Sequence, residues 1–288
     1  MKKLCLILMV MVLKMAYCVD LFSNQIKLNG HLLHYYKAGD RGQPIILLTG
    51  YATTSNFWNR QFISCLATNH QVYLFDYQGI NTPDKADLSK MSIQSMAKDV
   101  NAMVSKLNIH RPLLLGWSMG GAVTLEASFM APDLYEQIYL LSPVVPTEGK
   151  SRLSLPMPEH PVFKSDNDVI SYVFNNNLYN YNPDDVTELR KEFIQNGLEQ
   201  IFPSKQVRDA QGRAIATWIS SKMVREQFNN ATTPAVFYIP DHDRILDSNV
   251  ALPIAKEYRN ASIIQVKNSG HAVAWQIPEQ LCKSIDIQ

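Results

Sequence analysis

The residues Gly116-Trp117-Ser118-Met119-Gly120 fit the pattern G-x-S-x-G, in which a sharp turn from a strand into a helix holds a serine in a strained backbone conformation. Side chains crowd this turn, so both flanking positions must be glycine. The apolar run Leu113–Leu115 precedes the pattern and residues 121–130 are helix-like, which is the context that the turn requires. The sequence therefore predicts Ser118 as a catalytic nucleophile.

A serine hydroxyl is a poor nucleophile at neutral pH unless a base takes its proton. Of the 7 histidines, His271 is the predicted base, because it follows the last strand-like run and so lies at the sheet edge where open α/β sheets place their sites. Near strand starts or in early strands we expect His31, His34 and His70, and in a turn at the opposite sheet edge His110. His160 falls in an inserted segment, where it could line a pocket, and His242 lies beside the candidate acid.

The imidazole also needs an acid to fix its tautomer and to stabilise its charged form. Asp243 is the predicted acid, because it follows the strand run Ala235–Ile239 and gives the chain order Ser, Asp, His. Asp241 and Asp247 are its local rivals. Turn formation or helix capping is the alternative role for each of the three aspartates.

Eight short runs with strand character position these residues. The first two alternate in polarity and meet at Asn29-Gly30, which predicts a β-hairpin, and most of the others are continuously apolar, which suits strands buried on both faces. Helical stretches such as 93–107 and 120–130 separate them, so we predict an α/β fold with a mostly parallel central sheet and helices on both faces. The runs are 25–28, 32–37, 45–48, 72–75, 113–115, 138–141, 235–239 and 262–266.

The alternation of strands and helices stops between about Val145 and Asn230. Four prolines fall close together at its start, and aromatic-rich helical stretches without strand signals follow. We predict a helical cap, or lid, at 146–230 that carries the ceiling of the substrate pocket, inserted into a core formed by 19–145 and 231–288. The alternative is that its aromatic residues form the insertion's own small core. These residues are Phe163, Tyr172, Phe174, Tyr179, Tyr181, Phe193, Phe202 and Trp218.

The overall charge is balanced. The chain of 288 residues has 27 Lys and Arg against 26 Asp and Glu, so its formal net charge is +1. This balance does not indicate nucleic acid or an anionic membrane surface as a partner, and it favours an uncharged small-molecule substrate. The oligomeric state stays open.

Residues 1–18 have the layout of a secretory signal peptide. Lys2 and Lys3 precede the apolar run Leu4–Leu13, and the small residues Ala16 and Cys18 suit a cleavage site. The apolar run is too short to span a bilayer comfortably, so no stable membrane anchor is expected after cleavage. We expect the protein to be exported, either periplasmic or secreted, with its mature start near Val19.

Two cysteines, Cys65 and Cys282, are expected to remain in the mature chain. In an oxidising compartment they could form one disulfide. Two separate buried thiols are an equally good alternative, because sequence does not reveal their proximity.

From about Gln25 to its C-terminus the sequence resembles the α/β-hydrolase family, and the motif around Ser118 is similar to those of its esterase branches. Residues 47–51 resemble the family's oxyanion-hole loop, with Thr-Gly in place of the usual His-Gly, and Trp58 matches an aromatic residue shortly after it. The resemblance implies that the backbone N–H groups of Tyr51 and Met119 hold the oxyanion.

The sequence departs from the family pattern in two places. After Phe75–Gly79, where a second glycine and a serine are usual, the chain continues Ile80-Asn81-Thr82, which puts the shape of that loop in doubt. Pro240 stands where glycine is frequent before the acid, which is a smaller departure.

The resemblance implies hydrolysis of carboxylic esters of small or medium uncharged substrates through an acyl-enzyme. No metal or organic cofactor is expected, because the sequence contains no Cys/His cluster and no phosphate-binding glycine loop. The same triad could instead cleave amides or peptides, thioesters or carbon–carbon bonds. A non-catalytic, receptor-like binding protein is the alternative from another class.

Overall fold

The structure, a computed structural model, describes residues 19–82, 87–148, 166–195 and 202–286. Its centre is an eight-stranded sheet in the order β1-β2-β4-β3-β5-β6-β7-β8. A strand occupies each of the eight runs that the sequence predicts. The strands are β1 Phe22–Leu28, β2 His31–Ala38, β3 Gln43–Leu48, β4 His70–Asp76, β5 Leu113–Trp117, β6 Gln137–Leu141, β7 Ala235–Pro240 and β8 Ala261–Val266.

β1 and β2 form the predicted hairpin. In the rest of the sheet, β3 pairs parallel with β4 and β5, and the pairs β5–β6, β6–β7 and β7–β8 are parallel as well. Asn29 and Gly30 take positive φ angles of 48° and 92°, as a two-residue hairpin turn requires. β2 also pairs antiparallel with β4 and so joins the hairpin to the parallel part. The predicted mostly parallel sheet is therefore confirmed.

Helices cover both faces of the sheet. Along β3, Ile46 and Leu48 pack into one apolar core while Ile45 and Leu47 pack into the other, because successive strand residues face opposite sides. In the described ranges no helix is both long enough and apolar enough to cross a membrane. The helices are α1 Arg60–Leu66, α2 Ile93–Lys106, α3 Met119–Met130, α4 Asp166–Asn177, α5 Pro183–Gln195, α6 Lys205–Ile219, α7 Lys222–Asn230, α8 Ser248–Ala255, α9 Val273–Gln276 and α10 Pro278–Asp286.

Four of these helices, α4 to α7, lie between β6 and β7, where the sequence predicts the cap. Helix α6 packs against α2, and α7 packs against α3. Trp218 on α6 donates a hydrogen bond from Nε1 to Glu126 Oε2 on α3 at 2.9 Å, and both side chains are buried. The later half of the predicted insertion is therefore attached to the helices that cover the sheet.

Aromatic rings attach the first half of the insertion. Phe174 and Phe193 pack against Phe57 and Trp275, at ring-centroid distances from 4.9 to 6.2 Å. Phe57 in turn stacks on Trp117 at 4.5 Å. Phe174 and Phe193 are 0% and 1% exposed, so they fill the interior and do not line an open pocket. These two rings therefore belong to the main core of the sheet, and they form neither the ceiling of an open pocket nor a separate core of the insertion.

A disulfide joins Cys65 in α1 to Cys282 in α10, across 217 residues of sequence. It ties together two helices that pack on the same face of the sheet. The sequence leaves open either one disulfide or two separate thiols, and the structure contains the disulfide. Outside the described residues lie the predicted signal peptide 1–18, His160 and Phe163.

Candidate active site

Ser118 occupies the turn between β5 and α3. Its φ and ψ angles are 58° and −117°, a conformation that non-glycine residues rarely adopt. The surrounding backbone holds it, because Ser118 N–H donates to Leu141 O at 3.0 Å and its carbonyl accepts from Gly121 and Val144 N–H at 2.9 and 3.0 Å. The strained turn predicted for a nucleophile is therefore present at Ser118.

The flanking glycines of this turn have no room for side chains. A Cβ atom on Gly116 would lie 2.2 Å from Gly120 O, and a Cβ on Gly120 would lie 2.2 Å from Leu48 O. Both contacts are with backbone atoms that cannot move aside without displacing β3 or α3. Both glycines of the sequence pattern are therefore required by the close packing of strand, turn and helix.

His271 and Asp243 form a buried pair. His271 Nδ1 lies 2.7 Å from Asp243 Oδ2, and the two side chains are 2% and 1% exposed. The other carboxylate oxygen, Oδ1, accepts from the backbone N–H groups of Ile245 and Leu246 at 2.8 and 2.9 Å. These contacts orient the carboxylate and leave Nε2 of His271 as the ring nitrogen that does not bond to Asp243.

The other two candidate aspartates, Asp241 and Asp247, bond to groups other than His271. Asp247 caps α8 by accepting from Asn249 N–H at 2.9 Å. Asp241 lies 2.7 Å from Nδ1 of His242 and accepts from Ser269 N–H at 3.2 Å. Burial raises the pKa of Asp241, but these hydrogen bonds outweigh it and lower the pKa below its ordinary value. Asp243 alone of the three bonds to His271.

Trp117 connects the serine turn to the histidine loop. Its indole Nε1 donates to the backbone oxygen of His271 at 2.8 Å, and the two rings have centroids 5.3 Å apart. This contact brings the His271 loop against the residue that precedes Ser118. Among the described side chains no hydrogen bond joins Ser118 to His271, and such bonds are often long in enzymes without substrate.

The predicted oxyanion loop lies directly against the serine turn. A Cβ atom on Gly50 would come within 3.0 Å of Ser118 Cβ, so the chain can pass this closely only as glycine. Tyr51 follows Gly50, and Met119 is the first residue of α3, where backbone N–H groups have no partner within the helix. The two predicted donors therefore come from segments that meet at Ser118.

Side chains around the loop keep it in place. Tyr77 donates from its hydroxyl to Thr49 O at 3.1 Å, and Thr53 Oγ1 donates to Gly50 O at 2.9 Å. Burial, with the nearby Asp76 carboxylate, raises the pKa of Tyr77 well above its ordinary value. The Tyr77 hydroxyl therefore stays protonated at neutral pH and remains a donor to Thr49 O.

Asp76, at the end of β4, is a further support that sequence reasoning missed. It accepts from Ser55 N–H at 2.8 Å and from Asn81 Nδ2 at 2.7 Å, and its Oδ2 lies 3.1 Å from Nδ1 of the buried His34. Asn81 belongs to the segment that departs from the family pattern. Asn81 therefore bonds to the same Asp76 carboxylate that accepts from Ser55 N–H in the loop after Tyr51.

The remaining histidines are away from Ser118 or serve other contacts. His31 pairs with Asp99 and His70 with Asp286, each at 2.9 Å. His242 stacks on Tyr179, which follows α4, with ring centroids 3.6 Å apart. None of these three contacts involves Ser118 or Asp243.

Gln276 in α9 links the inserted segment to the His271 loop, and sequence reasoning missed it too. Its Oε1 accepts from the N–H groups of Gly270 and Tyr179, and its Nε2 donates to Tyr179 O at 2.9 Å. Ala272 N–H also donates to Asn177 O at 2.9 Å. A lone glutamine near a helix end carries no sequence signal for such a bridge.

In the part of the chain that the structure describes, no group of three or more His, Cys, Asp or Glu side chains is arranged to hold a metal ion. The groups gathered at Ser118 are a hydroxyl, an imidazole paired with a carboxylate, and backbone N–H groups. This set is suited to nucleophilic attack on a carbonyl with proton transfer and stabilisation of an oxyanion.

A family profile described as alpha/beta hydrolase fold matches residues 43–278. A protein of Azorhizobium caulinodans, provisionally named carbamate hydrolase RutD, is 24% identical over 249 residues, which are 85% of this chain and 90% of that protein. A Synechocystis protein, provisionally named a non-heme chloroperoxidase, is 24% identical over 261 residues, 86% of this chain and 91% of that protein. An α/β hydrolase fold protein from Chitinophaga pinensis superimposes with a TM-score of 0.74 at 17% identity, covering 94% of this chain and 97% of its own.

Proposed function

The chain belongs to the α/β-hydrolase fold family, and from this premise we propose that it is a serine hydrolase that cleaves carboxylic esters of small or medium uncharged substrates. The observation that carries the proposal is the buried His271–Asp243 pair, joined through Trp117 to the strained turn of Ser118. A fold alone does not define an activity, but this arrangement of groups matches the needs of acyl transfer.

In the first step Ser118 Oγ attacks the ester carbonyl carbon while His271 Nε2 takes its proton. The carbonyl oxygen becomes an oxyanion and accepts from the backbone N–H groups of Tyr51 and Met119. Met119 begins α3, so the positive end of the helix dipole also favours the negative charge. Asp243 stabilises the imidazolium that forms, without taking its proton.

Collapse of this intermediate releases the alcohol, which takes its proton from His271, and leaves Ser118 acylated. Water then attacks the acyl-enzyme, with His271 again acting as base. The second tetrahedral intermediate uses the same two N–H donors, and its collapse frees the acid and restores Ser118. The loss of a single oxyanion donor typically lowers kcat by about 100- to 1000-fold.

Hydrolysis of p-nitrophenyl esters with a series of acyl chain lengths tests this proposal. We expect turnover by the wild-type chain and a loss of about 10⁴-fold or more in Ser118→Ala. The length at which kcat/KM peaks measures the acyl site. A folded wild-type protein without ester turnover contradicts the ester assignment, and p-nitroanilides and carbamates then separate the other carbonyl substrates.

We also propose that the protein is exported. Two features support this: residues 1–18 have the layout of a signal peptide, and the Cys65–Cys282 disulfide suits an oxidising compartment. N-terminal sequencing of the protein from its native cells tests it. A start near Val19 is expected, and an intact Met1 contradicts export by cleavage.

A further inference from the structure

Gln211 lies in the middle of α6, in the segment inserted between β6 and β7, and its side chain is 0% exposed. Its Oε1 accepts a hydrogen bond from Ala52 N–H at 3.0 Å, across 159 residues of sequence. Since that partner can only donate, the oxygen and nitrogen of this amide are assigned without ambiguity. The contact joins an inserted helix to the residue that follows the proposed oxyanion donor Tyr51.

Ala52 takes a positive φ of 58°, which alanine adopts only at a cost. Strained backbone of this kind persists where surrounding groups hold it. The Ala52 N–H belongs to the peptide group that begins at the Tyr51 carbonyl, so a bond to this N–H limits rotation on the C-terminal side of Tyr51. The Tyr51 ring also lies against α6, because a Cβ on Gly212 would be 3.8 Å from its Cε2.

The other amide atom of Gln211 carries a cost in stability. Its Nε2 is buried without a hydrogen-bond partner among the described residues. An unpaired buried donor lowers the stability of a fold. An apolar side chain of similar size at position 211 would remove this cost, although it would also remove the acceptor for Ala52.

We propose that Gln211 is a positioning residue for catalysis: through Ala52 it fixes the Tyr51 N–H against the developing oxyanion, so that the inserted helix α6 completes the oxyanion hole. The inference rests on the proposed serine hydrolase function. It predicts that removal of the Gln211 oxygen weakens binding of the transition state more than binding of the substrate.

The test compares Gln211→Met with Gln206→Met, a matched change at an exposed position of the same helix. For Gln211→Met we expect kcat to fall about 10-fold with KM within about twofold of wild type, because the donor is misplaced but still present. A trifluoromethyl ketone that forms an oxyanion at Ser118 should lose affinity by the same factor. Thermal unfolding should occur at an unchanged or higher temperature, whereas a purely structural residue would lower it.

Gln211→Glu provides the rescue, because it restores an oxygen acceptor for Ala52, and its kcat should exceed that of Gln211→Met. The inference is overturned if kcat of Gln211→Met equals that of wild type, or if kcat falls only together with the unfolding temperature. A folded wild-type protein that neither hydrolyses esters nor reacts with a fluorophosphonate at Ser118 overturns the proposed function as well. An active wild type with an equally active Gln211→Met overturns this inference alone.

Discussion

At the scale of single residues, each group at the site has its conformation set by contacts with several parts of the chain. The strained backbone of Ser118 is held by β6 and by α3, and both oxygens of Asp243 are occupied. A carboxylate that accepts two backbone N–H groups and faces an imidazole can take only one orientation. Catalytic groups held in this way need little reorganisation when charge develops.

Asp243→Asn tests the role of the acid. The amide oxygen can still accept from Ile245 and Leu246, so its NH₂ group faces His271 Nδ1. His271 must then carry its proton on Nε2, where it cannot accept the proton of Ser118. We expect kcat for ester hydrolysis to fall about 10³- to 10⁴-fold with the fold intact.

Asp247→Asn is the matched control, because Asn caps a helix as well as Asp does. Its kcat should stay within about twofold of wild type. Equal activity of the Asp243 and Asp247 variants would remove Asp243 from the mechanism.

At the scale of elements, the eight strands could be predicted because short alternating or apolar runs of three to six residues are bounded by turn signals and separated by helix-like stretches. The chain order Ser, Asp, His was also readable, since each residue follows a strand. The supporting residues Asp76, Gln211 and Gln276 could not be predicted, because they act through contacts across 21, 159 and 97 residues. Their residue types are also common in loops and helices. Such contacts depend on packing that periodicity does not encode.

The contact between the inserted segment and the His271 loop gives an element-scale prediction. Gln276→Met removes the acceptor of the Gly270 and Tyr179 N–H groups. It also removes the donor to Tyr179 O. We expect the free energy of unfolding to fall by about 2 kcal/mol in urea titrations, because partly buried backbone groups lose their partners. Since Gly270 precedes His271, kcat should fall as well.

Gln280→Met, at an exposed position of α10, is the comparison. It should leave both the unfolding free energy and kcat near wild type. If the two variants behave alike, the bridge through Gln276 does not hold the loop.

At the scale of the whole molecule, the disulfide between α1 and α10 closes a loop of 217 residues. Chain entropy predicts that such a cross-link raises stability by about 5 kcal/mol, and native disulfides typically contribute about 2–5 kcal/mol. We therefore expect the free energy of unfolding of the double variant Cys65→Ala, Cys282→Ala, measured by urea titration, to fall by about 2–5 kcal/mol. Its kcat should be retained below the transition, because no hydrogen bond described for Ser118, His271 or Asp243 involves either helix.

Thiol titration provides the control for this prediction. The unfolded chain without residues 1–18 should show no free thiol before reduction and two after it. Two free thiols in the unreduced protein would contradict the bond.

The measurement that tests the central claim most directly is covalent labelling of the folded protein by a fluorophosphonate, followed by mass spectrometry of its peptides. Ser118 Oγ should attack phosphorus and displace fluoride, giving one adduct per chain on Ser118. The adduct should be absent in Ser118→Ala, absent after denaturation, and slow to form in Asp243→Asn. A folded wild-type protein that takes no label, or takes it at another residue, would contradict Ser118 as the activated nucleophile.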